Sequence, residues 1–271
     1  MRYFVINLDK RKDRWESIKI ELRQQNLLEK TTRFSAIQRD WNTIPFEKVS
    51  DEFLSSMVEG DKYCTLGAIG AYESHMELWN TCLELDEPIV IFEDDIHFTC
   101  KNFEKQLFEV INEVPTNIDI ITFFPNNQVK NMIYKNQLSL QTSVPSFGAY
   151  AYYITPTFIL KVKEHMSILR QPFDVQLKKY CETISNNVVS LLSYPYLIKT
   201  PLENGRDSNI VRKKHKMGID TIHRVYKIQD CENFRKQNIP FLYSDPNTFL
   251  KFDMIRCLWY NPLTHFVLKK T

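Results

Sequence analysis

A chain of 271 residues with 43% hydrophobic and 25% charged side chains can bury a substantial core, which excludes a disordered or fibrous protein. The formal charge of +2 hides an asymmetry: from Tyr196 onward 14 Lys and Arg face 7 acids, near +7, leaving the preceding body near −5. An acidic body suits a metal-using centre, and a basic tail suits a surface that meets anions.

Six cysteines, at 64, 82, 100, 181, 231 and 257, show neither CxxC nor a disulfide framework. They read as reduced thiols in a cytoplasmic protein. The apolar amino-terminal stretch is too short for a signal peptide, and no run reaches the length of a bilayer span.

The periods alternate along the chain. Residues 3–8 predict a strand, and 11–25 a helix with Trp15, Ile18 and Leu22 on one stripe. A short strand at 32–35 leads into an irregular segment at 36–61. Thr65 then caps a long helix reaching residue 85, with Leu66, Ile69, Tyr72, Met76, Trp79 and Leu83 at helical spacing. An apolar strand from residue 89 is followed by a helix at 103–111 and a strand at 119–124. Residues 125–145 are polar and aperiodic, a candidate flap. A strand at 147–154, a helix opening at Pro156, a helix at 173–183 and a strand at 187–192 complete the body. The series predicts an α/β fold with a mostly parallel sheet, as a domain spanning 1–195, and an extension at 196–271 that is mainly helical, basic and aromatic.

Ile89-Val90-Ile91-Phe92-Glu93-Asp94-Asp95 carries the chemistry. A strand buried on both faces delivers three adjacent carboxylates at its carboxyl end, where their repulsion invites a cation. Strand alternation puts Glu93 and Asp95 on one side and Asp94 on the other, so the acid-x-acid pair can grip one hard divalent ion. A solvated turn or pairing with Lys or Arg is the plainer alternative. His97 could supply a further ligand, although its place suits the turn at the strand exit.

Three segments carry a family resemblance. Val5-Ile6-Asn7-Leu8-Asp9-Lys10-Arg11-Lys12-Asp13-Arg14 is similar to an opening strand and helix start. Leu66-Gly67-Ala68-Ile69-Gly70-Ala71-Tyr72-Glu73-Ser74-His75 is similar to a Gly-x-Ile-Gly-Cys-x-x-Ser-His helix, and Ile91-Phe92-Glu93-Asp94-Asp95 to a Leu-Glu-Asp-Asp motif. Weaker matches are Phe34-Ser35-Ala36, Gly148 through Tyr152, Asp174 and Ser208-Asn209-Ile210. In this order they resemble glycosyltransferase family 25, the lipooligosaccharide-type and collagen-type galactosyltransferases. Ala71 departs from the usual Cys, and Tyr72 and Glu73 from smaller or apolar residues, which puts acceptor choice in doubt.

The resemblance implies a GT-A type, Rossmann-like fold and inverting transfer of a hexose, galactose foremost, from a UDP-sugar to a saccharide hydroxyl in lipooligosaccharide or lipopolysaccharide synthesis. Glu93 and Asp95 would hold Mn2+ or Mg2+. Donor contacts would come from Asn7, Leu8, Arg11, Arg14, Ala36, Gly67, Ser74, His75 and Asp94, and Asp174 would serve as base. Several of these residues have a structural alternative. Arg11 and Arg14 suit a first helical turn paired with Asp13 or Glu16. Gly67 and Gly70 suit tight packing, His75 suits a buried histidine orienting a carboxylate, and Asp174 suits a helix cap. The basic tail can lie on an anionic membrane displaying a lipid-linked acceptor, making the protein peripheral on the inner face, or it can pack on the body; nucleic acid is not expected. Other classes kept open are a metal-dependent phosphotransferase or phosphohydrolase and a non-catalytic glycan-binding relative.

Overall fold

The structure, a computed structural model, describes residues 1–59, 61–113, 117–124, 133–134, 139–142, 145, 148–193 and 196–199. They fall into two compact units, residues 1–38 with 70–209 and residues 39–69 with 210–271. Nearly all of the 196–271 extension, expected to be mainly helical, lies outside the described residues, as does most of the flap at 125–145.

The larger unit is built on a mixed sheet. Its strands are β1 (Arg2–Asn7), β2 (Thr31–Ser35), β3 (Ile89–Glu93), β5 (Ile120–Thr122), β6 (Ile133–Tyr134), β7 (Ser139–Thr142), β8 (Ala151–Ile154) and β9 (Ser190–Ser193), in the order β2-β1-β3-β8-β5-β9-β7-β6. The six central strands, β2 to β9, run parallel except for β8, which is antiparallel to both β3 and β5. The strands β4 (His97–Phe98) and β10 (Ile198–Lys199) form a separate antiparallel pair. A mostly parallel sheet between helices is the GT-A-like arrangement expected. The reversed β8 has no local signature, because strand direction is set by pairing with distant neighbours.

Alternation along the buried strands separates two cores. Tyr3 and Val5, Val90 and Phe92, Ala151 and Tyr153 join Ile18 and Leu22 of α1 (Lys12–Gln24) and Phe103, Leu107 and Val110 of α4 (Phe103–Glu113). The opposite face meets α3 (Leu66–Leu85), α5 (Pro156–Met166) and α6 (Phe173–Thr183), where Trp79 packs edge-on against Phe158 and Phe173. The predicted Thr65 cap forms, its Oγ1 accepting from Ala68 N at 3.1 Å, and ahead of Pro156 the Thr155 Oγ1 accepts from Phe158 N at 3.2 Å. At the amino end of β5 the buried Asp119 accepts from Lys161 Nζ at 2.8 and 2.9 Å and from Val189 N at 2.7 Å, so this charge is compensated.

The segment at 36–61 is more ordered than its composition suggests. It contains a 3-10 turn at Phe46–Lys48 and α2 (Asp51–Val58), whose Ser50 cap accepts from Phe53 N at 3.3 Å. Phe53, Leu54 and Met57 are buried, and the turn spacing of these three outweighs the charges around them.

Candidate functional site

The site begins with register. Asn7 pairs with Ser35 across β1 and β2, and Ile6 pairs with Glu93 across β1 and β3, so three adjacent parallel strands end together. Glu93 N donates to Tyr150 O at 2.7 Å, which brings the start of β8 to the same edge. The crevice beyond the carboxyl ends of such strands is where open α/β sheets take ligands.

The three carboxylates then part. Strand alternation carries Glu93 toward α3, with Oε1 at 3.6 Å from His75 Nε2. Asp94 goes to the α1 side, where it is 8% exposed and its two oxygens accept from Arg14 Nη1 at 2.8 Å and Asn7 Nδ2 at 2.6 Å. Because β3 ends at Glu93, Asp95 lies in the following turn. Its Oδ2 accepts from the same Arg14 Nη1 at 3.1 Å, while its Oδ1 is buried with no hydrogen-bond partner among the described residues.

This crowding shifts the carboxyl groups. Burial, with Asp94 and Asp174 nearby, pushes Glu93 up to about 8. Burial and the neighbouring Glu93 push Asp95 up to about 7 against the pull of Arg14. Among the described residues no three or more His, Cys, Asp and Glu side chains form a ready-made cage. Two under-compensated carboxylates, one with an orphaned buried oxygen, fit a hard divalent cation that takes its other ligands from phosphate oxygens and water.

The residues expected to read the nucleotide are gathered at this edge but committed inward. Asn7 is 1% exposed, and its amide also donates to Arg11 O at 3.1 Å and accepts from Arg33 Nε at 2.9 Å. Arg14 is buried and spans Asp94 and Asp95. Arg11 makes a forked pair with Asp13, Nε to Oδ1 at 2.9 Å and Nη2 to Oδ2 at 2.8 Å, the first-turn pairing its spacing allows. Leu8 O accepts from Arg11 N at 2.8 Å, closing the turn after β1, and Ala36 N donates to Asn7 O at 2.9 Å, continuing the ladder between β1 and β2.

On α3 the glycines differ. Gly67 is exposed in the first turn, whereas a Cβ on the buried Gly70 would stand 2.2 Å from Ile37 O. Only glycine allows the chain leaving β2 to approach this closely. Ser74 secures that approach, donating to Gly70 O at 2.7 Å and accepting from Ile37 N at 2.8 Å. His75 is 2% exposed and stacked on Phe173 at 4.6 Å, and burial pushes it down to about 3, against the influence of Asp174, so it is neutral.

Asp174 lies in the first turn of α6. Its Oδ2 accepts from Gly148 N at 2.7 Å, at a backbone with φ +84° where a side chain would strike the Tyr150 ring. The carboxylate thus ties α6 to the entry of β8 while contributing to the field at Glu93 and His75. His97 is turned away: Nδ1 is 3.1 Å from Glu21, whose other oxygen accepts from Phe98 N at 3.2 Å.

Two contributors were not anticipated. Arg33 links Asn7 to Asp9, donating to Asp9 Oδ1 at 2.7 Å, and lies over the Trp15 ring. An arginine inside a short strand was the available signal. Tyr152 places its hydroxyl 2.9 Å from His75 Nδ1, and a tyrosine in a buried strand, needing a partner for its hydroxyl, was the hint there.

A mostly parallel α/β sheet between helices, with acids at the carboxyl edge of β3, is a GT-A-like arrangement. The family model for "Glycosyltransferase family 25 (LPS biosynthesis protein)" matches residues 1–177, and the chain belongs to that family. No curated protein matches the chain. The match ends three residues past Asp174 and covers every candidate site residue.

Proposed function

We propose that this glycosyltransferase moves a hexose, galactose foremost, from a UDP-sugar to a saccharide hydroxyl with inversion, in lipopolysaccharide or lipooligosaccharide assembly. The observation that carries the donor reading is the pair Glu93 and Asp95 at the carboxyl edge of β3, Asp95 with a buried oxygen unpartnered among the described residues and Glu93 half-buried and crowded by other acids. These two would hold Mn2+ or Mg2+, which when bound supplies charge neutralisation for the departing nucleotide diphosphate.

The chain's own residues do the rest. Arg14 and Asn7 hold Asp94 and so fix the turn that aims Asp95. Ser74 and Gly70 seat the backbone beyond β2, and Asn7, Leu8, Arg11 and Ala36 frame the nucleotide edge. In the transfer step the acceptor oxygen attacks the anomeric carbon as the bond from that carbon to the phosphate oxygen breaks. The hydroxyl proton goes to Asp174, and UDP leaves with the bonding electrons. Asp174 suits this role because it shares the electrostatic neighbourhood of Glu93 without being one of the paired acids.

The acceptor would be lipid-linked and the protein peripheral on the cytoplasmic face. Among the described residues no helix is long and apolar enough to cross a membrane, and the basic tail that would meet the lipid lies outside them. The test is a panel of UDP-hexoses with Mn2+, scored for thermal stabilisation and UDP release. UDP-galactose should give the largest shift; no shift with any member refutes the donor class. Asp174→Asn should retain donor binding and lose transfer, and unchanged turnover rejects Asp174 as base.

A further inference from the structure

Behind Glu93 lies a chain of buried polar groups that the transfer step does not use. His75 and Trp79 are one turn apart on α3 and share the face that meets β8. Between them sits Tyr152, on the strand hydrogen-bonded to both β3 and β5. Tyr152 is 3% exposed, His75 2% and Trp79 0%, so water does not satisfy their polar atoms. Trp79 Nε1 donates to the Tyr152 hydroxyl oxygen at 3.1 Å, and the same oxygen is 2.9 Å from His75 Nδ1.

Proton counting selects one arrangement. Indole N–H only donates, so Trp79 fills an acceptor site of Tyr152 and leaves the hydroxyl proton to be placed. Among the described residues the only other polar partner of that hydroxyl is His75 Nδ1, which must then be the bare, accepting nitrogen. An imidazole accepting at Nδ1 carries its one proton on Nε2, and Nε2 is the atom facing Glu93 Oε1 at 3.6 Å. The opposite tautomer would leave the Tyr152 proton buried without an acceptor. Stacking of Phe173 on the imidazole at 4.6 Å holds the ring in this plane.

We propose that Tyr152 is a positioning residue that holds His75 in its Nε2–H form and so directs an N–H donor at the Glu93 carboxylate. This rests on the reading of Glu93 as a cation-holding group. Such outer partners orient a ligating carboxylate, and their loss weakens cation binding by about 10- to 100-fold.

The experiment uses the full chain with 15N-labelled histidine. Long-range 1H–15N spectra at neutral pH read the protonation of each ring nitrogen, and His75→Gln identifies the His75 signals by their disappearance. The expected spectrum has a bare Nδ1 and a protonated Nε2. Tyr152→Phe should abolish that single pattern and weaken Mn2+-dependent UDP binding by about tenfold or more. A protonated Nδ1 in the parent protein overturns the proposal, and this result needs no Tyr152 variant to fold. So does a Tyr152→Phe protein with both the tautomer and the cation dependence unchanged. If the pattern and its loss are seen but no UDP binds in any cation, the donor-site reading fails while the hold of Tyr152 on His75 stands.

Discussion

Replacing Arg14 with Met tests how the acidic edge is held together. One nitrogen, Nη1, serves Asp94 at 2.8 Å and Asp95 at 3.1 Å, and all three side chains are largely buried. Removing one member of a buried ion pair costs about 3–5 kcal/mol, because the partner's charge is left uncompensated. The two acids will not suffer equally. Asp94 keeps the Asn7 amide at 2.6 Å, whereas Asp95, whose Oδ1 has no hydrogen-bond partner among the described residues, loses the bond that its Oδ2 accepts from Arg14. The cost should therefore depend on the charge of Asp95. With its carboxyl already raised to about 7, Arg14→Met should lose about 3 kcal/mol at pH 8, and clearly less at pH 5, where Asp95 takes up a proton. Urea denaturation of the full chain without divalent cation measures both values. Adding Asp95→Asn to Arg14→Met should recover more than half of the pH 8 loss. A loss under about 1 kcal/mol, equal losses at both pH values, or no recovery in the double variant would refute the reasoning.

Three further outcomes follow from the same contacts. Gly70→Ala should lower the melting temperature, since overpacking against Ile37 O costs about 1–3 kcal/mol and the helix propensity gained is about 1 kcal/mol. A rise in melting temperature contradicts the close approach. In the cation-free protein, Glu93 and Asp95 have folded values near 8 and 7 against ordinary values of 4.5 and 3.8, so the folded state binds more protons than the unfolded chain in that window. Stability should accordingly fall as pH rises from about 4.5 to 8, and Glu93→Gln with Asp95→Asn should flatten the profile. The opposite slope, insensitive to both substitutions, rules out the desolvated pair. Ser74→Ala should destabilise by about 1–3 kcal/mol by leaving Ile37 N without its acceptor, as read by urea denaturation; a neutral effect would show that Ser74 does not secure the chain beyond β2.

Much of this was legible from side-chain periods. β1, β3, α3 and α6 were readable because apolar runs and 3.6-residue stripes are local properties, and α6 was placed to the residue. The split between Glu93 and Asp94 was legible for the same reason, through the period of two. Asp95 was less so, because the chain leaves the strand before it and alternation ceases to apply. α2 was missed although Ser50, Asp51 and Glu52 make a good helix start, since eight residues give too few turns for a stripe to stand out. Asn7 and Arg14 were expected to reach outward. Their inward commitment depends on Asp94, 87 and 80 residues away, and no local pattern reports such a partner. Reversal of β8 and the Tyr152 contact with His75 are likewise products of long-range pairing.

The central claim is that Glu93 and Asp95 hold a divalent cation with the donor's diphosphate. Calorimetric titration of UDP into the full chain, with and without Mn2+, tests it most directly. The account predicts binding that requires Mn2+ and weakens by at least about tenfold, or about 1.4 kcal/mol, in both Glu93→Gln and Asp95→Asn. UDP binding of equal strength with and without Mn2+, undiminished in both variants, would contradict it.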